Sequence, residues 1–286
     1  MGKYVKREYH SYSDYGRAWW DTTENKRQRN QSWRSDFDKE GPYIGVEFEC
    51  ISSAGNYSVL LDALPNFPFG REPLAEDDGS LPGRSGLELI FPPVSYKQLK
   101  KSSSVFGKCI AALDGKITTD RNITGMHMNV NTNHWSADKK LLFIATFHNI
   151  MQEALECIGG RQLNTYCKQL PDEGLYYYED VCDHSYCAEY LDNRVELRFP
   201  KSTTDHSKVT QLIEFIEVVE TFAEVEVANC HQYEDSTHAL EASFRKFCSK
   251  SKKGKRVLGY LYDKSTTSPD SNSSAAPAQQ LSLCAA

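Results

Sequence analysis

Four short segments of this 286-residue chain alternate polar and apolar side chains in the way that predicts β-strands. In segment 45–49 (GVEFE) both glutamates fall on one face and Val46 and Phe48 on the other, because successive side chains of a strand point to opposite faces. Segments 126–130 (MHMNV) and 195–199 (VELRF) repeat the arrangement, and segment 86–93 (GLELIFPP) adds one more carboxylate. If the strands share one sheet, its polar face carries Glu47, Glu49, Glu88, His127, Glu196 and Arg198.

The other segments of the chain show the three-and-four spacing of apolar residues that predicts amphipathic helices. We predict helices at 95–113, 137–158, 205–229 and 236–250, the second of them capped by Gly159 and Gly160. Helices with one apolar stripe and strands with one apolar face predict a two-layer α+β domain. In this domain the helices cover one side of the sheet and the polar side stays open. His148 falls on the apolar stripe of the second helix, where a hydrogen-bonded core histidine is more common than a ligand.

Both ends of the chain differ in composition from its middle. Residues 1–40 show no helical or strand period and are interpreted as an extended N-terminal arm. Residues 264–286 are rich in Ser, Thr, Pro and Ala and are expected to be disordered. The interval 41–263 is therefore the expected catalytic domain. Seven basic residues within 245–256 favour a solvated helix end and turn over a phosphate or nucleic-acid patch.

Charge and cysteine content narrow the class of protein. The formal net charge is -6 and the sequence pI is about 5.8, so no nucleic-acid or membrane partner is expected. No apolar run is long enough to cross a bilayer and no signal peptide is visible. The nine cysteines are scattered, which favours reduced thiols and a cytoplasmic location. Cys182 to Cys187 resembles half a zinc site, but no second Cys/His pair supports it, so a plain loop is favoured.

The polar face of the predicted sheet suggests its chemistry. Clustered carboxylates repel one another and have raised pKa values unless cations neutralise them. Oxygen-rich ligation with one imidazole suits Mg²⁺ or Mn²⁺ better than zinc or copper, and Arg198 beside Glu196 could clamp a phosphate. The chain has neither a Walker-type loop nor Gly-x-Gly-x-x-Gly. ATP would therefore be held by metals and side chains rather than by a glycine-rich loop.

Six motifs together resemble the amidoligase branch of the glutamine synthetase-type carboxylate–amine ligase superfamily. They occur in the order of that family and span about residues 43–230: 45–49 (GVEFE), 77–81 (DDGSL), 86–89 (GLEL) with Pro92 and Pro93, 125–129 (GMHMN), 161–167 (RQLNTYC) and 196–199 (ELRF). The resemblance implies a curved antiparallel sheet with helices packed behind it, and a concave face that binds ATP and two divalent metals.

The resemblance also implies a role for each matching residue. Glu49 and Glu88 would hold one metal, and Glu47, His127 and Glu196 the other. Arg198 would contact phosphate, and with Glu47 and Glu196 it forms the expected catalytic set. The residues expected to bind the cofactor are Arg198, Arg161 and Asn129, the last standing where many relatives have a second histidine. The residues expected to contact the substrate are Asp78, Arg161, Asn164 and Tyr166; a turn aspartate is an equally simple interpretation of Asp78.

The implied reaction is ATP-dependent formation of an amide or isopeptide bond through an acyl phosphate. The branch favours a peptide or protein amine, and nothing matches the ammonia-binding loop of glutamine synthetases proper. Two alternatives stay open: a non-catalytic interaction or assembly protein that keeps the fold, and a metal-dependent phosphate-ester hydrolase. The intact carboxylate set argues against the first alternative, and the placement of glutamates on strands argues against the second.

Overall fold

The structure is a computed structural model, and it describes residues 43–52, 74–77, 81, 86–96, 117–119, 123–165, 167–170, 174–180, 185–191 and 194–262. The predicted arm at 1–40 and the predicted tail at 264–286 lie outside these residues. So does the predicted helix at 95–113, apart from Ser95, which ends a strand, and Tyr96.

The strands of the described residues form one antiparallel sheet, as the alternating segments predict. They are β1 (Tyr43–Ser52), β2 (Leu74–Asp77), β3 (Gly86–Ser95), β4 (Ile117–Thr118), β5 (Met126–Asn131), β6 (Ala188–Leu191) and β7 (Arg194–Leu197). Their order is β2-β3-β1-β5-β7-β6, with β4 paired to the last two residues of β1. The four strands that carry the predicted polar residues are therefore neighbours at the centre of the sheet.

The apolar side of the sheet packs against helices and forms the core, which confirms the α+β class. The helices of the described residues are α1 (Ala137–Asn149), α2 (Gln152–Gly159), α3 (His206–Glu226), α4 (Leu240–Ser249) and α5 (Lys252–Tyr262). Phe147 of α1 lies 5.7 Å from Phe199 and 5.4 Å from Phe215 of α3, measured between ring centroids. Within the described part of the chain, no helix combines the length and the apolar character that a membrane crossing requires.

The predicted helix at 137–158 is two helices, with a break at Ile150 and Met151. Ile150 has an extended backbone, with ψ 138°. The side-chain amide of Gln169 donates to the carbonyls of Phe147 and Ile150, at 2.8 and 2.7 Å. These contacts satisfy carbonyls at the end of α1 and come from a residue about 20 positions away, which explains why the periodicity alone missed the break. The predicted glycine cap is confirmed, because Gly160 has φ +74°.

The C-terminal helices also differ from the prediction. The helix predicted at 205–229 begins after Asp205, whose carboxylate caps the Ser207 amide, and after Glu226 it tightens into a 3₁₀ helix, Val227–Tyr233. The helix predicted at 236–250 begins only at Leu240. The sequence analysis interprets the basic residues 245–256 as a helix end and turn, whereas the structure has a further helix, α5, in this region.

The basic cluster at 245–256 lies across α4 and α5, and some of its members form ion pairs with acids of α4 and α3. Arg245 contacts Glu241 at 2.8 Å. The Lys253 ammonium lies 2.5 Å from Glu217 of α3, and Arg256 pairs with Glu214 of the same helix. This pattern favours the interpretation of the cluster as a solvated helix surface, and it shows that the charges help to hold α5 against α3.

Candidate metal and phosphate site

The strand register places the predicted polar residues opposite one another. Glu49 of β1 pairs with Glu88 of β3, and Glu47 pairs with His127 of β5. On the other side of β5, Asn129 pairs with Glu196 of β7. Opposite residues on neighbouring strands have Cβ atoms about 5 Å apart. The sheet therefore assembles one polar cluster from four strands that are far apart in sequence.

His127 lies at the centre of this cluster. Its Nε2 is 3.1 Å from Oε1 of Glu49, and its Nδ1 is 3.2 Å from Oε1 of Glu196. The same Nδ1 is 3.4 Å from Glu47 and 3.9 Å from Glu88. Four carboxylates thus surround one imidazole. His127, Glu88 and Glu196 are buried, so this face is less exposed than the sequence predicts.

The charges in the cluster change the proton affinity of its members. Burial and the Arg198 charge lower the pKa of His127, but the carboxylates of Glu47, Glu49 and Glu196 outweigh them and hold it well above its ordinary value. Burial raises the pKa of Glu49, yet His127 and the Gly125 amide bring it below the ordinary value. In the protein alone, the carboxylates therefore favour the protonated form of His127.

The residues present fit a divalent cation. One ligand atom each from Glu47, His127 and Glu196 lies within 4.8 Å of the other two. Glu49 and Glu88 are adjacent to this group through the register. Two carboxylates and one imidazole in a largely buried setting suit Mg²⁺ or Mn²⁺, and a cation in that position would replace the proton on His127.

Arg198 adds a positive group beside the carboxylates. Its Nη1 donates to Oε1 of Glu196 at 2.8 Å. Burial lowers the pKa of Arg198, but the charges of Glu196, Glu189 and Glu49 raise it above its ordinary value, so the guanidinium stays charged. The Nε of Arg198 is buried and has no hydrogen-bond acceptor among the residues that the structure describes. A guanidinium with unused donors beside a cation site can bind phosphate.

Asn129 is held by both ends of its amide. Its Nδ2 donates to Glu47 at 3.0 Å, and its Oδ1 accepts from Nε of Arg194 at 2.8 Å. The sequence places Asn129 among the cofactor-binding residues. That role stays a prediction; the contacts of Asn129 orient Glu47 and bring in Arg194, a residue that the sequence analysis did not single out.

Arg161 reaches the edge of the cluster from the loop after α2. It is buried, and a methyl group on Gly125 would lie 3.0 Å from its Nη1 and 3.3 Å from Oε2 of Glu49. Its Nη2 donates to the sulfur of Cys167 at 3.3 Å, and that thiol faces Oδ1 of Asn164 at 3.7 Å. Arg161, Cys167 and Asn164 are thus one connected group. Asp78 and Tyr166, the other predicted substrate contacts, lie outside the described residues.

Glu189 is a site residue that sequence reasoning missed. It lies on β6 directly opposite Glu196 and is 0% exposed. The available signal was the same alternation as in the other strands, because Glu189 stands between Ala188 and Tyr190. The segment is only four residues long, so its alternation is a weak signal.

Comparisons with known proteins give weak structural matches. The sequence matches no family model and no curated protein. Among solved structures, the fold is similar to glutamine synthetase from Plasmodium falciparum, with a TM-score of 0.39 and 11% identity over 69% of this chain and 54% of that chain. It is also similar to glutamate–cysteine ligase from Francisella tularensis, solved in complex with AMP, with a TM-score of 0.37 and 11% identity over 79% of this chain and 81% of that chain.

This chain spans about half the length of the glutamine synthetase that it matches. At this level of similarity the function has to be argued from the site itself.

Proposed function

We propose that this protein is an ATP-dependent carboxylate–amine ligase that forms an amide or isopeptide bond on a two-metal site. The observation that carries the proposal is the group formed by Glu47, His127 and Glu196, whose ligand atoms lie within 4.8 Å of one another beside Arg198. The order of the six motifs along the chain supports the same proposal. A cation group next to a guanidinium suits a nucleotide polyphosphate.

In the proposed reaction, an oxygen of the substrate carboxylate attacks the γ-phosphorus of ATP, and the bond to ADP breaks. The resulting acyl phosphate is attacked by an amine, which loses a proton as phosphate leaves. Phosphoryl transfer depends mainly on positioning and on charge stabilisation. Divalent cations held by Glu47, His127 and Glu196, and by Glu49 and Glu88, would supply charge neutralisation for the phosphates.

The other residues of the site would bind phosphate and substrate and orient the metal ligands. Arg198 would hold the transferred phosphate with its donors, since its Nη1 is already oriented by Glu196. Asn129 would keep Glu47 in its orientation through the contact at 3.0 Å. Arg161, buried at the edge of the cluster, would bind the substrate carboxylate or a phosphate oxygen. Asp78, Asn164 and Tyr166 remain proposed substrate contacts, and a peptide or protein remains the proposed source of the amine.

Calorimetry with a non-hydrolysable ATP analogue tests the proposal directly. Wild-type protein should bind the analogue in Mg²⁺ and lose binding when the metal is chelated. Glu196→Gln should remove binding while leaving the circular dichroism spectrum and thermal unfolding close to wild type. Glu220→Gln is the matched control, because Glu220 is a partly buried carboxylate of α3 that contacts Lys139 at 3.4 Å, away from the cluster.

The alternative functions give different results in the same experiment. Folded wild-type protein that binds Mn²⁺ and cleaves a simple phosphate ester, but does not bind the ATP analogue, would be a hydrolase. Folded protein that binds neither metal nor nucleotide would be a non-catalytic interaction protein. Metal-dependent nucleotide binding, followed by ADP release in a screen of amine and carboxylate pairs, supports the ligase.

A further inference from the structure

Glu189 is the most deeply buried acid next to the cluster, and neither the resemblance nor the metal group gives it a role. It is 0% exposed, compared with 4% for Glu196. The metal group contains Glu47, His127 and Glu196 but not Glu189. A buried carboxylate is costly unless a positive charge compensates it, so its position needs an explanation.

The register supplies the nearby positive charge. Glu189 and Glu196 are directly opposite on the antiparallel strands β6 and β7, and like charges in that position repel. Arg198 lies two residues after Glu196, so it is the diagonal neighbour of Glu189. Its backbone amide bonds to the carbonyl of Cys187 at 2.9 Å, which continues the same register. Diagonal neighbours are within reach of a long side chain.

A bound cation would weaken the hold of Glu196 on Arg198. Its Oε1 is both the acceptor from Arg198 at 2.8 Å and the atom that lies 3.2 Å from Nδ1 of His127. A cation beside His127 would share that oxygen and weaken its hold on the guanidinium. Glu189 lies outside the metal group, so a bound cation would not weaken its attraction for Arg198.

The geometry points to Glu189 as a positioning residue, which keeps the Arg198 guanidinium aimed at the bound phosphate when Glu196 is engaged by metal. The inference rests on the proposed function, because it assigns Arg198 to phosphate. It gives Glu189 no contact with metal or substrate. It also explains why the strand pair β6–β7 places two glutamates opposite each other beside an arginine.

The first test measures the Arg198 guanidinium itself, in saturating Mg²⁺ and without nucleotide, because the role of Glu189 is expected once a metal engages Glu196. The Nη–H signals of Arg198 can be assigned by NMR from their disappearance in Arg198→Lys, and their hydrogen exchange with solvent can then be measured. In Glu189→Gln, a change that keeps the size of the side chain and removes its charge, exchange should be at least about tenfold faster than in wild type. In the matched control Glu220→Gln, exchange should stay within about twofold. Unchanged exchange in Glu189→Gln overturns the inference.

The second test separates positioning from metal binding by calorimetry. Glu189→Gln should bind Mn²⁺ within about twofold of wild type and bind the ATP analogue about tenfold more weakly. In the double variant Glu189→Gln/Arg198→Lys the loss should be no larger than in Arg198→Lys alone, because residues that act through one another are not additive. A loss of Mn²⁺ affinity as large as that of Glu196→Gln would make Glu189 a metal ligand and overturn the inference.

The two proposals fail in different ways. Wild-type protein that binds no nucleotide refutes the ligase, and the exchange of the Arg198 signals still decides whether Glu189 holds the guanidinium. Nucleotide binding in wild type together with additive losses in the double variant refutes the role of Glu189 and leaves the ligase standing.

Discussion

Two buried histidines on opposite sides of the sheet have pKa values shifted in opposite directions. His127, on the polar face, is surrounded by carboxylates, and its pKa is raised well above the ordinary value. His148, in the helical layer, has its pKa lowered by burial to about 4. Burial disfavours the charged form of both residues. The difference therefore comes from the partners: acidic side chains at His127 and backbone groups at His148.

The hydrogen bonds of His148 fix it in the neutral form. Its Nε2 donates to the carbonyl of Ala188 at 2.9 Å, and its Nδ1 accepts from the amide of Leu170 at 3.0 Å. A neutral imidazole satisfies both contacts, whereas a protonated one would turn a donor toward the Leu170 amide. This confirms the prediction of a hydrogen-bonded core histidine. The comparison suggests that His127 serves binding and His148 serves stability.

The largest expected effect is the loss of metal binding on removal of the His127 imidazole. His127→Ala should weaken Mn²⁺ binding on the order of a thousandfold, about 4 kcal/mol, more than the 10- to 100-fold typical of outer-sphere partners. His148→Gln, whose amide can still donate to one backbone group, should bind Mn²⁺ within about twofold of wild type. Calorimetry on both variants measures this difference. Equal losses of Mn²⁺ affinity in the two variants would mean that both substitutions act by disturbing the fold and that His127 is not a metal ligand.

The second effect is on stability and belongs to His148. Its folded pKa of about 4 lies below its ordinary value of 6.5, so the unfolded chain binds the proton more readily. The contribution of neutral His148 to the free energy of unfolding is therefore fully present above pH 6.5. It is lost as the pH falls toward 4, by about 3 kcal/mol in total. Urea unfolding of wild type and His148→Gln across this range measures it. The gap between the two proteins should narrow by that amount as the pH falls; a constant gap would contradict the assignment.

The polar residues of the site were predictable because strand alternation is a local property. Glu47, Glu49, His127 and Glu196 follow from period-two patterns within five-residue segments. Which strands are neighbours is not local, and only the pairing shows that Glu49 faces Glu88 and that Asn129 faces Glu196. The sequence therefore predicts the side chains of the cluster but neither their distances nor their burial.

The features that were missed depend on contacts between distant segments. The break between α1 and α2 is accompanied by hydrogen bonds from Gln169, and nothing in the apolar stripe signals it. Glu189 reaches the cluster because β6 pairs with β7, and the four-residue segment of β6 does not predict that pairing. Arg194 enters the site through Asn129. Each of these features depends on a tertiary contact between distant segments, which local patterns in a single sequence do not predict.

A smaller effect concerns competition between protons and metal at His127. The raised pKa means that, in the metal-free protein, this ring keeps a proton above pH 6.5 that an ordinary histidine would release. A metal has to displace that proton. Mn²⁺ affinity should therefore rise as the pH is raised above 6.5, by at most about tenfold, or about 1.4 kcal/mol, per pH unit. Calorimetry in buffers of different ionisation enthalpy should show about one proton released per metal. Binding without proton release would place the metal away from His127.

The last comparison separates two glycines, one on the binding face and one in the packed core. A methyl group on Gly125 would lie 3.0 Å from Nη1 of Arg161, the mobile end of a long side chain. Gly125→Ala should therefore cost less than about 1 kcal/mol in unfolding free energy, while weakening metal-dependent nucleotide binding a few-fold.

Gly159 meets a rigid neighbour instead, because a methyl group there would lie 2.9 Å from the backbone oxygen of Phe199. Gly159→Ala should lower the free energy of unfolding by about 1–3 kcal/mol, as overpacking of a core does, and leave Mn²⁺ affinity within about twofold. Urea unfolding and calorimetry on both variants test the pair. If Gly125→Ala lost stability but kept full nucleotide binding, Arg161 would have no part in the site. Gly125 would then belong to the packed core rather than to the binding face.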